Sequence, residues 1–174
     1  MGFDGGRVSD PEETLRRLRS VPEVEVQLLK ADFVAGKEHL QFAARNALVS
    51  FYGKGRRSKS LAVEYLLYLS CQRQISKAIR LLGIRASERR VLLVALSGSN
   101  EALQKLEQAA LSIIGGSIDE DLAEIGSELK LKKIQNAYGV TKREIEATRF
   151  PGESEDDVVK RLVIERSALL DLSD

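Results

Sequence analysis

This sequence predicts an α/β fold: a small mixed β-sheet packed with several α-helices, with more helix than strand. Three observations carry the prediction. Apolar residues make up 43% of the 174 residues, enough for a chain of this length to bury a core. Two segments have strand character: Val24-Glu25-Val26-Gln27-Leu28 alternates apolar and polar, and Val91-Leu92-Leu93-Val94 is continuously apolar. The other long segments place apolar residues at helical spacing between capping residues and glycines. The expected organisation is an N-terminal segment, residues 1–22, carrying a short helix, followed by a single globular domain over 23–174.

The elements follow in order. Residues 1–9 are glycine-rich and read as frayed. Asp10-Pro11-Glu12-Glu13 starts a helix, with Asp10 as cap, Pro11 in the first turn and Glu13 spaced to close a capping box. Pro22 ends it, and a strand is expected over 24–31. After Gly36 a helix runs to Phe51, with Leu40, Ala43, Ala44, Ala47, Leu48 and Phe51 as its buried stripe. Gly53 to Lys59 reads as a basic loop without a side chain able to anchor it. Ser60 caps a helix over 61–70 that is apolar nearly all round and therefore central. Gln74 to Leu82 is a further helix stopped by Gly83. Arg90 to Leu96 is a strand buried on both faces. Ser97 to Asn100 turns into a helix that Gly115-Gly116 breaks after Ile114. Ile118 to Ile125 forms a loop or helical turn. Glu128 to Tyr138 is helical with Gly139 as terminator. Thr141 caps a short helix, and Asp156 to Leu170 forms the last one.

Composition excludes several classes of function. No stretch is long and apolar enough to span a membrane, and residues 1–10 lack a signal-peptide core. Cys71 and His39 are the only residues of their kinds, so an internal disulfide, thiolate clusters and three-histidine zinc sites are ruled out and no metal or cofactor is expected. A Ser-His-Asp triad could run only through His39. A reducing cytoplasm is the simplest location for a chain with one cysteine. Gly53 to Ser60 approximates a phosphate-binding P-loop, but Ser58 stands where the second glycine belongs, and the apolar strand ends in Ser97 rather than a metal-binding aspartate.

The net charge of +1 hides a bipolar chain. Between Arg45 and Arg90, eleven basic residues are opposed only by Glu64 and Glu88. Such a field attracts polyanions, nucleic acid foremost, although a merely solvated charged face is the plainer alternative. Glu64, inside an apolar helix, needs a partner, and Arg73 is the candidate. Tyr65 and Tyr68, with Phe51 and Tyr52 upstream, either pack in the core or stack unpaired bases beside the cations. The last helix carries Val158, Val159, Leu162, Val163, Leu169 and Leu170, an arc wide enough to serve the core and also a partner protein.

Four blocks of residues carry a resemblance. They are Ala31-Asp32-Phe33-Val34-Ala35 with Lys37-Glu38-His39; Asn46-Ala47 with the basic loop; Leu61 to Ser70 with Arg73-Gln74-Ile75, Ala78-Ile79 and Gly83-Ile84; and Ile114 to Asp119. In this order they resemble the kinase-associated small subunit of KEOPS, the complex that helps make threonylcarbamoyladenosine in tRNA (the PRPK-binding protein family, in its archaeal form). The resemblance runs from Glu23 to the C-terminus. Two departures stand out: Cys71 occupies a position where that pattern has glycine, and the apolar first strand of the pattern is missing. The resemblance implies a non-enzymatic subunit that binds and regulates a small atypical kinase. It also implies binding of the single-stranded CCA end of tRNA, delivered indirectly to the threonylcarbamoyl transferase subunit. The RNA-facing residues would be Lys37, His39, Lys54, Arg56, Arg57, Lys59, Glu64, Tyr68, Arg73 and Gln74. The kinase interface would be Val158, Val159, Leu162, Val163 and Leu169. A protein-only kinase regulator without RNA contact is the alternative.

Overall fold

The structure, a computed structural model, describes residues 1–171. In chain order its elements are β1 (Gly2–Asp4), α1 (Pro11–Leu18), β2 (Glu25–Lys30), α2 (Lys37–Tyr52), α3 (Leu61–Ser70), α4 (Ile75–Leu82), β3 (Arg90–Leu96), α5 (Asn100–Ile114), β4 (Ser117–Ile118), α6 (Glu128–Tyr138), α7 (Lys142–Thr148) and α8 (Glu155–Ala168). Single 3-10 turns follow β2 (Ala31–Phe33) and α8 (Leu169–Asp171). The α/β class is as the sequence predicts. The chain divides into two compact units, Met1–Ala31 with Gly83–Leu122 and Asp32–Leu82 with Ala123–Asp174.

The first unit holds the sheet, in the order β2-β3-β1-β4, and every ladder is antiparallel rather than mixed in direction. The expectation that residues 1–9 fray is corrected here. Gly2, Phe3 and Asp4 pair with Leu92, Val91 and Arg90, and Phe3 also faces Ile118. Phe3 is fully buried with Val26, Leu28, Val91 and Leu93 from the strands, Leu18 from α1, and Leu106, Ala110 and Ile114 from α5. β3 is buried at Val91 to Leu93 but only half-buried from Val94 to Leu96, so it is not covered on both faces along its length. At Gly116 a left-handed φ of +82° brings the chain against β1, where a Cβ would stand 2.5 Å from the Asp4 carbonyl oxygen. Glycine alone fits that turn and allows β4 to reach its partner. Asp10 caps α1 through the Glu12 and Glu13 amides, but Glu13 turns to Arg16 instead of closing a capping box.

The second unit is helical. α3 lies at its centre: every residue from Leu61 to Ser70 except Val63 is buried. α2, α4 and α8 pack against it, and α8 also meets α2, α6 and α7. The buried face of α2 consists of His39, Ala43, Ala47 and Ser50, small residues that admit α3 closely, whereas Leu48 is 39% exposed, outside the stripe expected of it. Gly36 has no side chain to cap α2, so the Glu124 carboxylate accepts from the Lys37 amide at 3.0 Å and from Lys160 Nζ at 2.6 Å.

Replacing Phe3 by alanine is expected to cost about 3–5 kcal/mol, as for other fully buried aromatic truncations. Urea unfolding checks this, and an unchanged midpoint would mean that β1 contributes nothing to the sheet.

Candidate functional site

Glu64 does not pair with Arg73. It is fully buried on α3, and its carboxylate accepts from Ser50 Oγ of α2 at 2.8 Å and from the loop amides of Ser58 at 2.8 Å and Arg57 at 3.1 Å. A buried carboxylate is tolerable when such donors replace its water. The basic loop, expected to be unanchored, is therefore clamped from beneath. Arg56 donates to the Ser58 and Lys59 carbonyls at 2.7 and 2.9 Å, and its guanidinium lies 4.1 Å from the centre of the Phe51 ring. Lys54 and Lys59 remain exposed.

Arg57 turns the other way. It is half-buried and donates to the Tyr68 hydroxyl at 3.2 Å and to the Leu170 carbonyl at 3.3 Å. Arg73, exposed in the turn just before α4, reaches the same carbonyl oxygen at 3.3 Å. Two cations far apart in sequence thus converge on the turn after α8. Beside them lies an open cleft of about 380 Å³, lined by Cys71, Gln72, Arg73, Gln74, Lys77 and Leu170. Ala137, Tyr138, Arg166 and Leu169 continue it into a second hollow of about 270 Å³. These volumes suit one small group each, at the low end of ligand sites. Among the described residues no cluster could hold a metal ion.

Cys71 ends α3 in the left-handed region, at φ +52°, where a side chain costs about 1–2 kcal/mol and glycine costs nothing. Its Sγ points to the Val163 carbonyl at 3.7 Å, and burial pushes the thiol up to about 12. It is therefore a protonated wall of the cleft rather than a nucleophile.

The expected RNA-facing residues divide. Lys37, Lys54, Arg56, Lys59, Arg73 and Gln74 are exposed and Arg57 partly so, but His39, Glu64 and Tyr68 have no exposed surface and cannot touch a ligand directly. His39 Nδ1 accepts from the Ala35 amide at 3.2 Å, and the ring meets Tyr138 edge-on at 5.6 Å. Tyr65 is likewise buried, so neither tyrosine of α3 stacks bases. The expected kinase interface is also corrected. Val158, Val159, Leu162 and Val163 form the core with Ile134 and Ile145, and only Leu169 is exposed, at 47%. Sequence reasoning does not place Gln72, Lys77 or Leu170 at this site: Lys77 enters only among the eleven basic residues and Leu170 only in the apolar arc of the last helix. Lys77 alone left a signal, one helical turn beyond Arg73 on α4.

The family model described as "Kinase binding protein CGI-121" matches residues 7–171. A relative described as "Regulatory protein Cgi121", from Methanocaldococcus jannaschii, is 34% identical over 105 residues, which cover 60% of this chain and 64% of that protein. The match thus spans slightly less than two thirds of the relative's length.

Burial lowers the His39 pKa from 6.5 to about 4, opposed by a weaker interaction with the Leu69 carbonyl. The folded state then binds fewer protons than the unfolded chain. The associated stability is complete above pH 6.5 and is lost as pH falls through 4, about 3 kcal/mol in all. Urea midpoints at pH 7.5, 5.5 and 4.5 should fall in that order, and His39→Leu should flatten the dependence.

Proposed function

Because this chain belongs to the kinase-binding CGI-121 family, we propose that it is a non-enzymatic regulatory subunit of a KEOPS-type assembly in the cytoplasm. It binds the small atypical kinase of that assembly and receives the single-stranded CCA end of tRNA. The RNA is thereby brought to the threonylcarbamoyl transferase subunit. The observation that carries this reading is the cleft at the α3–α4 junction: Arg73, Gln74 and Lys77 border it, and a clamped loop supplies exposed Lys54 and Lys59.

The chemistry is recognition. Lys54 and Lys59 meet phosphates as exposed point charges. Arg73 keeps donors beyond the one given to Leu170 and directs them at a phosphate or a base edge. Gln74 both donates and accepts, as reading a base edge requires. Glu64 and Tyr68 act through position: one shapes the loop, and the other supports Arg57 from below. His39 holds the start of α2 against the residues before it.

Binding of tRNA with and without its terminal CCA, at two salt concentrations, tests the RNA half. Removal of the CCA should weaken binding by about tenfold or more. Replacing Lys54 and Lys59 together by alanine should lower the log–log salt slope by about 1.4. Equal binding of both tRNAs would mean nonspecific attraction, and no binding would leave kinase regulation alone. On the kinase side, Leu169→Glu should weaken kinase capture with its circular dichroism unchanged. Leu162→Glu should unfold the second unit, because it buries an unpaired charge. Normal capture by Leu169→Glu would exclude that residue from the interface.

A further inference from the structure

At the C-terminal end of α2 an aromatic cluster stands apart from the cleft. Tyr52 is 76% exposed, the most exposed of the large apolar and aromatic side chains among the described residues. Its neighbour Phe51 meets it edge-on, with ring centres 5.3 Å apart. Arg56 covers the Phe51 ring at 4.1 Å and is held there by the Ser58 and Lys59 carbonyls. Tyr52 thus projects from a pre-formed stack of ring and guanidinium. Val49, three residues back on the same face and 69% exposed, extends the apolar surface.

The surrounding charge selects the occupant. From Arg45 to Val63 the sequence contains Arg45, Lys54, Arg56, Arg57 and Lys59 and no acidic residue. Glu64, the next acid, is fully buried and spent on the loop amides. An exposed ring in a stretch of chain whose exposed charges are all cationic suits a polyanion that carries its own flat apolar faces. Single-stranded nucleic acid has that chemistry: phosphates meet the lysines while a base covers the ring. An acidic protein surface would satisfy the charges but leave the ring without a partner of its shape.

We propose that Tyr52, backed by Phe51 and Arg56, is a stacking platform for an unpaired RNA base, separate from the cleft lined by Arg73 and Gln74. This rests on the RNA-binding reading above and extends it to a residue outside that cleft. The platform is sequence-tolerant, because every base offers a π-face. It positions the strand, and the cleft reads its end.

The test uses the full chain with a short single-stranded RNA and a blunt RNA duplex. Tyr52→Ala should weaken single-strand binding about 5- to 150-fold, leave duplex binding unchanged and preserve the salt slope, since no charge is removed. Tyr52→Phe should bind as the parent chain does. The chain contains no tryptophan, so Tyr52→Trp creates a sole reporter whose emission should be quenched by the single strand. Circular dichroism of each variant should match the parent, given the exposure of the site. Unchanged single-strand affinity for Tyr52→Ala would overturn the platform and leave the RNA reading intact. A tryptophan that stays silent while RNA binds would do the same. If the parent chain binds no RNA, the RNA reading and the platform fall together. If Tyr52→Ala loses kinase capture but keeps RNA affinity, the ring belongs to a protein contact and the platform is overturned.

Discussion

The shape of the basic loop depends on one buried carboxylate. Glu64 sits on the most enclosed helix of the molecule, and its charge is tolerable only because a hydroxyl from α2 and two amides from the basic loop take the place of water. The requirement works in both directions. The carboxylate needs the loop, and the loop, otherwise a run of repelling cations between glycines, gains a shape from the carboxylate. The arrangement resembles an anion held in a concave run of amides, except that the anion belongs to the protein itself. Electrostatic attraction and loop geometry are therefore not separable here: the same group that offsets the local positive field also determines where the lysines stand.

A second junction is fixed from several sides. The Tyr138 hydroxyl meets the Phe33 and Leu69 carbonyls at 2.9 and 3.0 Å, and Ser167 Oγ donates to the Tyr68 carbonyl at 2.9 Å. These bonds tie the end of α3 to the turn before α2 and to α8, the Tyr68 carbonyl also accepting from the Cys71 amide at 3.1 Å. The turn after α8 completes the frame by offering one carbonyl to two arginines. α8 is thus structural along most of its length, and its contribution to the surface is confined to its end. A helix packed by four neighbours has no apolar face left for a partner.

The helices were legible because their signals are local. Ser60 and Thr141 each cap the helix that the pattern assigns to them, and Gly139 ends α6 in the left-handed conformation. β1 was not legible, since Gly-Phe-Asp is too short for alternation to appear, and its pairing with β3 is settled by residues about ninety positions away. β4 has only two residues, both exposed. The partner of Glu64 was missed for a different reason: backbone amides carry no side-chain signature, so a search for an opposite charge led to Arg73. The wide apolar arc of α8 was visible, but the number of its neighbours was not, and burial on several sides looks in sequence like a surplus face. Among the candidate site residues, Lys54, Lys59, Arg73 and Gln74 were named from sequence, whereas the place of Lys77 at the cleft and the covering of His39 and Tyr68 depend on contacts that only the folded chain supplies.

The strained residue that closes α3 has a practical consequence. Cys71 is the sole thiol of the chain, half-shielded, and it remains protonated through the whole range used for maleimide coupling. It reacts slowly with alkylating reagents as a result, because they attack the thiolate. A cysteine introduced on the exposed part of the basic loop would outpace it by a wide margin. The natural sequence therefore needs no cysteine-free background for attaching a dye or a spin label, and distances across the loop and the cleft become measurable in an otherwise unaltered protein.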